Sequence, residues 1–176
     1  AKKYLPKFNY EIFPNIISEK YNSLKFNYKI RKNYLYLGRL HHKKNIDQII
    51  TAFFLAQKKI DSKIKLFIAG KGDKKYTIYL KEIVKRKNLQ NKVIFLGHQN
   101  YKKKMRLMFK SKYLIFFSKS ENFGNVILEA MLAKLPVIVS KKLPWKILNN
   151  IRAGYLINHN IENLKKIIIK SSKISR

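Results

Sequence analysis

The sequence predicts an α/β domain: a doubly wound, Rossmann-like parallel sheet with helices on both faces. Short apolar runs alternate with amphipathic segments from Tyr34 onward, and several runs are apolar throughout, as strands covered on both faces are. Turn residues follow four of the runs: Gly38-Arg39, Gly70-Lys71-Gly72, Gly97-His98 and Ser118–Asn122. Because parallel strands end at one edge of a sheet, where ligands bind, the sequence predicts a binding site at that edge.

The first three strands and two helices of this pattern lie between Tyr34 and Leu96. The apolar runs of the strands are Tyr34–Leu37, Ile64–Ala69 and Val93–Leu96. The first helix follows Asn45, which has Gln48 three residues on, the spacing of a capping box. Its apolar side chains share one helical face: Ile46, Ile49, Ile50, Phe53 and Phe54. The second helix has apolar residues at Tyr76, Leu80, Ile83 and Val84 and ends near Asn88.

The alternation of strands and helices continues to the end of the chain. A short basic helix over Tyr101–Phe109 is expected to face inward with Met105 and Met108. The elements after it are a strand over Tyr113–Phe117, a helix over Asn125–Ala133, a strand over Leu135–Val139, a strand over Tyr155–Ile157 and a helix beginning at Ile161. The unit of strand, polar turn and helix that ends at Ala133 is the kind that binds a ligand at a helix N-terminus.

The composition limits the class of protein. A length of 176 residues, with 46% hydrophobic and 13% aromatic residues, is enough for one folded domain. The absence of cysteine excludes disulfides and cysteine–zinc sites, and no apolar run approaches the roughly 20 residues of a membrane span. The first residues, AKKYLPKF, include neither an initiator methionine nor the apolar core of a signal peptide. We therefore expect an interior piece of a longer protein.

The net charge of +31, from 40 basic and 9 acidic residues, allows two interpretations. One is a basic module that binds nucleic acid or an anionic membrane. The other is compositional bias, because the lysines are scattered over every predicted element and accompany other residues with AT-rich codons. Lysine far outnumbers arginine, the residue that suits bidentate base contacts, so nucleic acid is not the expected partner. Electrostatic contact with an anionic membrane remains open.

Two carboxylates bracket the turn at the predicted ligand edge. Glu121 precedes the helix, and Glu129 lies in the helical pattern itself. Glu129 has a simpler alternative role, which is to complement the helix dipole from the first turn. Gly124 and Asn125 lie where backbone N–H groups face outward, and the glycine has no side chain to obstruct a ligand.

Basic residues flank the first predicted loop. Arg39 and Lys44 beside a helix start are suited to holding a diphosphate without a metal ion. Gly70-Lys71-Gly72 is part of a dinucleotide-binding pattern, but its third glycine is missing, so we interpret it as a turn. The histidines have no metal-ligand spacing, and most are expected at surface or loop positions: His41, His42, His98 and His159.

In these residues the chain resembles the C-terminal, donor-binding domain of retaining glycosyltransferases of the GT-B fold, the family 4 group. The signature G-R-L-x-x-x-K-G corresponds to Gly38–Asn45, with asparagine in place of the last glycine. The most specific pattern, E-x-F-G-x-x-x-x-E-A followed by P-V, corresponds to Glu121–Ala130 and Pro136-Val137. Pro14-Asn15 resembles the end of the family's interdomain linker, and Lys134 occupies the position of a common glycine.

The resemblance implies a role for each matching residue. Arg39 and Lys44 would hold the nucleotide diphosphate, Glu121 would bind hydroxyls of the donor sugar, and Glu129 would bind both ribose hydroxyls. The backbone of Phe123, Gly124, Asn125 and Val126 would cradle sugar and phosphate, with Gly97 near the base. The implied catalytic residues are Glu121, Arg39 and Lys44. The implied donor-binding residues are Gly38, Arg39, Lys44, Gly97, Glu121, Phe123, Gly124, Asn125, Val126 and Glu129.

The resemblance also implies the organisation and the reaction. Residues 1–32 would end a linker from an N-terminal acceptor-binding domain, and residues 33–176 would form the nucleotide-sugar-binding domain. The enzyme would transfer a hexose from a nucleotide-diphosphate sugar to a glycan or lipid-linked acceptor, without a metal cofactor. Its expected place is cell-envelope polysaccharide synthesis in the cytoplasm, with peripheral contact to the inner face of the membrane. The chain alone would bind donor and transfer nothing. Another GT-B enzyme, such as a nucleotide-sugar epimerase, is the alternative within enzymes.

Overall fold

A computed structural model of the chain describes residues 31–121, 124–148 and 153–174. In these residues six strands form one sheet, and every neighbouring pair is parallel. The strands are β1 (Asn33–Leu37), β2 (Leu66–Ala69), β3 (Val93–Gly97), β4 (Ser111–Phe116), β5 (Val137–Ser140) and β6 (Gly154–Ile157). Their spatial order is β3-β2-β1-β4-β5-β6. The order reverses direction between β1 and β4, which makes that junction the topological switch point.

Helices cover both faces of the sheet within the described residues. They are α1 (Ile46–Ala56), α2 (Lys74–Arg86), α3 (Tyr101–Lys110), α4 (Asn125–Leu132) and α5 (Ile161–Ser172). Buried residues of α1, α2 and α5 pack with Tyr34 of β1 into one apolar core. Buried residues of α3 and α4 pack with Leu35, the next residue of the same strand, into a second core. The alternation of Tyr34 and Leu35 between two cores confirms the predicted doubly wound α/β fold.

The central strands are the most deeply buried elements. All six residues of β4 are buried, whereas only Val93 of the edge strand β3 is. Met105 and Met108 of α3 are buried as predicted. The structure places the strand and helix boundaries within one or two residues of most of those predicted from the apolar runs, because these elements are defined by local periodicity.

Two predictions about α1 are wrong in detail. Phe54 was expected on the same face as the buried residues, but it is 37% exposed, and the ammonium of Lys87, the residue after α2, lies 4.5 Å from its ring centroid. Asn45 precedes α1, but it has a left-handed φ of 49° and makes no side-chain capping bond to the helix. Its amide is used elsewhere, so the capping-box interpretation fails.

Some predicted features lie outside the described residues. The proposed linker over residues 1–32 falls almost wholly there, including Pro14-Asn15, and so does Phe123 of the ligand turn. Among the helices that the structure describes, none has the length and apolar character needed to cross a membrane.

Candidate functional site

The candidate site lies where the chain leaves β1 and β4, the two strands that flank the switch point. The loop after β1 and the loop after β4 are joined directly, because the backbone N–H of Lys119 donates to the carbonyl oxygen of Lys43 at 3.0 Å. The fold therefore brings two segments more than 70 residues apart in sequence to one edge of the sheet, as predicted.

The loop after β1 is fixed by its own strand and by β2. The buried hydroxyl of Tyr36 donates to the carbonyl of Arg39 at 2.8 Å, and burial raises the pKa of that hydroxyl. The N–H of Gly38 donates to the carbonyl of Ala69 at 3.0 Å. These bonds hold the backbone of Arg39 in place while its side chain stays exposed at the sheet edge.

The turn after β2 packs against this loop backbone to backbone. A Cβ atom on Gly70 would lie 1.9 Å from the carbonyl oxygen of Gly38, and one on Gly72 would lie 1.9 Å from that of Leu40. Any side chain at either position would clash with the neighbouring main chain. The two glycines thus have a packing role that needs no ligand, which supports the interpretation of this segment as a turn.

Lys44 and Glu121 form an ion pair across the switch point. Their side chains are 20% and 15% exposed, and the ammonium also lies 5.7 Å from the ring centroid of Phe116. Burial lowers the pKa of Lys44, and the nearby charge of Arg39 lowers it further. The Glu121 carboxylate opposes both effects by stabilising the ammonium form. Two of the three predicted catalytic residues are thus in direct contact.

The N-terminus of α4 lies next to this ion pair in the chain. Gly124 has a φ of 81°, in the left-handed region that favours glycine, and a Cβ atom there would approach the Phe116 ring to 3.3 Å. Asn125 and Val126 form the first turn of α4, which contains no acidic residue. The positive end of the helix dipole is therefore not neutralised from within the first turn.

Glu129 lies in the second turn of α4, so its interpretation as a first-turn dipole residue is wrong. Its carboxylate instead forms an ion pair of 2.6 Å with the ammonium of Lys104 on α3. Sequence analysis did not single out Lys104. Nothing local distinguishes it from the adjacent lysines of α3, and only the packing of α3 against the sheet selects it.

A cavity of about 360 Å³ opens at the carboxyl ends of β1, β2 and β3. Its lining residues are Leu37, Gly38, Arg39, Ala69, Gly70, Lys71, His98, Gln99 and Lys104. Gly97, predicted to lie near the base, ends β3 beside the cavity and accepts a 2.7 Å bond from the N–H of Gly70. Lys104 lines this cavity together with Gly38 and Arg39, and its ammonium also binds Glu129, so Glu129 lies close to the cavity.

The histidines lie in the segments that connect strands and α-helices, as expected for most of them. His41 and His42 lie against each other on the loop after β1, with ring centroids 4.0 Å apart. Desolvation lowers the pKa of His41, and the neighbouring His42 lowers it further. His98 lines the cavity. His159 lies in the loop after β6, and there its ring stacks on buried Phe117 and hydrogen-bonds on both nitrogens. Across the described part of the chain, no three His, Asp or Glu side chains are grouped to hold a metal ion.

Comparison with known proteins assigns the chain to a family. The model of the family described as glycosyl transferases, group 1, matches residues 21–174. The chain therefore belongs to the group 1 glycosyl transferases. The comparison confirms the family that the signatures around Gly38 and Glu121 indicated.

Individual relatives match the same region. The poly(ribitol-phosphate) alpha-N-acetylglucosaminyltransferase of Staphylococcus aureus is 31% identical over 138 residues, which is 77% of this chain and 27% of that protein. The human alpha-1,3/1,6-mannosyltransferase ALG2 is 27% identical over 95% of this chain and 44% of that protein. The chain thus spans about a quarter to less than half of the length of these relatives.

Solved structures share the fold. Staphylococcus aureus TarM, in a complex that includes UDP, superposes with a TM-score of 0.80 at 25% identity, covering 97% of this chain and 34% of TarM. Anabaena HepE in complex with UDP and glucose gives a TM-score of 0.67 at 26% identity, covering 80% of this chain and 38% of HepE. The similarity to both confirms that this chain has the fold of one part of a GT-B glycosyltransferase.

Proposed function

We propose that the protein is a retaining glycosyltransferase in which this chain binds the nucleotide-diphosphate sugar. The observation that carries the proposal is the Lys44–Glu121 ion pair, which joins the two loops of the switch point beside the N-terminus of α4. It places a cation, a hydrogen-bond acceptor and a helix dipole at one sheet edge, which suits a ligand that combines a diphosphate with a polyhydroxylated group.

The diphosphate is assigned to Arg39, Lys44 and the start of α4. Both cations and the positive end of the helix dipole attract negative charge, so this chain supplies the compensation that a divalent metal gives in other sites. Charge grows on the diphosphate as the bond to the sugar breaks. Groups that are already fixed around that charge lower the barrier to reaction without having to reorganise. Because the cations of this chain compensate the diphosphate charge, binding of the donor is expected to be independent of metal.

The sugar and the nucleoside are assigned to opposite sides of the diphosphate. Glu121 accepts hydrogen bonds from sugar hydroxyls, and Glu129, held by Lys104, accepts both ribose hydroxyls. The backbone from Phe123 to Val126 cradles the sugar and phosphate, and Gly38 and Gly97 border the cavity that takes the nucleoside. In the retaining reaction the departing diphosphate assists deprotonation of the acceptor, which approaches from outside this chain.

The names of relatives suggest the acceptor and the place of action. The staphylococcal relative is named for a poly(ribitol-phosphate) acceptor, and a relative from Streptococcus pneumoniae, 34% identical over 107 residues, is named alpha-monoglucosyldiacylglycerol synthase. We infer that the whole protein transfers a hexosyl group to a glycan or lipid-linked acceptor of the cell envelope. It would act in the cytoplasm, and a net charge of +31 favours peripheral contact with the anionic inner face of the membrane.

A thermal-shift measurement tests the donor assignment. UDP and UDP-GlcNAc should each raise the melting temperature of the chain in the presence of EDTA, because a ligand that binds only the folded state stabilises it. UMP, which lacks the second phosphate, should raise it less. Stabilisation that strictly required Mg²⁺ or Mn²⁺ would contradict the assignment of Arg39 and Lys44. No shift with either diphosphate would contradict the proposed function.

A further inference from the structure

A buried hydrogen-bond network lies beside the proposed donor site. Asn45, the residue after Lys44, is only 3% exposed, and its Nδ2 donates to the carbonyl oxygen of Phe117 at 3.3 Å. The same nitrogen lies 2.9 Å from Nε2 of His159, and Nδ1 of His159 lies 2.9 Å from Oγ of Ser140. The His159 ring stacks on Phe117, with centroids 4.2 Å apart and planes 8° from parallel. The network thus joins the start of α1 to the ends of β4 and β5 and to the loop after β6.

The partners fix where the proton of His159 lies. The Phe117 carbonyl can only accept, so Asn45 must direct its NH₂ group toward it, and the same NH₂ group faces His159. Nε2 is therefore an acceptor, and the proton is on Nδ1, which donates to Ser140. Oγ of Ser140 also accepts from the N–H of Lys142 at 3.2 Å. Protonation of the ring would set an N–H at Nε2 against the NH₂ of Asn45 and break this contact.

The network constrains the backbone next to Lys44, the residue whose ammonium is assigned to the diphosphate. Asn45 has a φ of 49°, and its backbone carbonyl accepts from the N–H groups of Gln48 and Ile49, so it forms the joint between the Lys44 turn and α1. Its side chain bonds that joint to Phe117, the residue after β4, in the segment that leads to Glu121. Loss of these side-chain hydrogen bonds would leave the backbone at Lys44 less restricted. The Lys44 ammonium would then be held less firmly near Glu121 and near the assigned diphosphate position.

We propose that His159 is a positioning residue of the donor site, whose neutral ring holds Asn45 and thereby Lys44, so that acidification weakens donor binding through this network. The proposal rests on the proposed function, because the ligand in question is a nucleoside diphosphate. It assigns a role to a residue in the loop between β6 and α5, a loop that holds none of the donor-binding residues named above.

The surroundings of His159 favour the neutral ring. Burial lowers the pKa of His159, and the charges of Lys142 and Lys119 lower it further. His159 lines a second cavity, apart from the one at the ends of β1, β2 and β3, together with Gln48 of α1 and Glu162 of α5. Gln48 is uncharged, and Glu162 pairs with Lys165 at 3.2 Å. Because the folded pKa is below the ordinary value of about 6.5, the stabilising contribution is complete above that pH. It is lost as the pH falls through the folded pKa.

Imidazole NMR tests the network without any ligand. Long-range ¹H–¹⁵N spectra of the chain near pH 7.5, with the His159 signal assigned by its absence in His159→Gln, should show the proton on Nδ1. A proton on Nε2, or a pKa above about 6.5, would overturn the network as described. This result does not depend on whether the chain binds a nucleotide.

Calorimetry with UDP tests the positioning role. Between about pH 7.5 and pH 5.5 the wild-type chain should lose about two- to tenfold more UDP affinity than His159→Gln, the size of one or two hydrogen bonds. Protonation of UDP and of the other histidines is common to both proteins and cancels in the comparison. Asn45→Gly, which suits the left-handed backbone, should show the reduced pH dependence of His159→Gln. Equal losses in wild type and both variants would overturn the positioning role.

Ser171→Ala is the matched control. It removes a buried hydrogen bond to Tyr34, at the start of β1 and so at the opposite edge of the sheet from the candidate site. UDP affinity and its pH dependence should both match the wild type, and a change like that of His159→Gln would mean that general stability is being measured. If the wild-type chain binds no UDP, the proposed function and the positioning role fail together, while the NMR result still decides whether the network exists.

Discussion

Two lysine–glutamate pairs of similar exposure lie at α4, one just before the helix and one involving Glu129 of the helix itself, and they are held in different ways. Lys44 and Glu121 join two loops across the switch point, whereas Lys104 and Glu129 join two helices on one face of the sheet. Partly buried ion pairs contribute little to stability on average, because desolvation offsets the Coulomb attraction. Within the described residues, Glu121 and Glu129 nevertheless form such pairs, and both lie at the candidate site. This placement agrees with the donor-binding roles proposed for both carboxylates.

The difference between the pairs lies in which partner is expected to contact the ligand. In the loop pair both members are assigned to the donor, so Lys44 must exchange some contact with Glu121 for contact with phosphate. In the helix pair only Glu129 is assigned to the donor, and Lys104 holds it in position. Removing one member should therefore have different consequences in the two pairs, and the following changes test that.

Among the lysine variants, the largest effect is expected for Lys44→Ala. The variant loses a charge-assisted hydrogen bond to the diphosphate, which contributes about 1.5–3 kcal/mol, or about tenfold to a hundredfold in UDP affinity. Lys43→Ala is the control, because the Lys43 side chain is exposed on the same turn. Calorimetry should show less than about a twofold change for the control. Similar losses in both variants would mean that only the overall positive charge attracts UDP.

A smaller effect is expected for Lys104→Met. Methionine keeps an apolar stem on α3 but removes the ammonium that orients Glu129, and pairs of this exposure contribute about 0.2–1 kcal/mol. UDP affinity should fall about two- to fivefold by calorimetry. Lys103→Met, on the exposed face of the same helix, should leave the affinity unchanged. An unchanged affinity for Lys104→Met would break the proposed link between the helix pair and the nucleoside.

No effect on UDP binding is expected for Lys134→Gly, a change just after α4. Lys134 is exposed and has a φ of 51°, a left-handed conformation that glycine adopts without strain. Urea unfolding should show a free energy of unfolding raised by about 0.5–1 kcal/mol. If UDP affinity rose as well, the stability of α4 rather than the two ion pairs would limit binding.

The sequence predicted the fold and the shared edge of the site because both depend on local patterns. Apolar periodicity marks each strand and helix, and a parallel sheet places the residues after β1 and β4 at one edge whatever the details. Arg39 and Lys44 were found in this way, and so were Glu121 and Glu129. Their individual roles toward a donor stay predictions.

The misjudged or missed features depend on packing between distant segments. Asn45 has the spacing of a helix cap, but its amide meets Phe117 and His159, which lie 72 and 114 residues away in sequence. Lys104 acquires its role only because α3 packs beside α4. Asn45 and Lys134 both replace a glycine of the family pattern and both keep the left-handed backbone, with φ values of 49° and 51°. Only the structure shows that Asn45 is held by a buried network while Lys134 is exposed.

The central claim is that Glu129 binds the ribose and Glu121 binds the sugar. Calorimetric titration of Glu129→Gln and Glu121→Gln with UDP and with UDP-GlcNAc tests it most directly. Glu129→Gln should weaken both ligands by about tenfold to a hundredfold, because each carries the ribose. Glu121→Gln should weaken UDP-GlcNAc and leave UDP unchanged, since UDP has no sugar to lose and Lys44 remains to bind its phosphates. Equal losses of both ligands in Glu121→Gln would contradict the account.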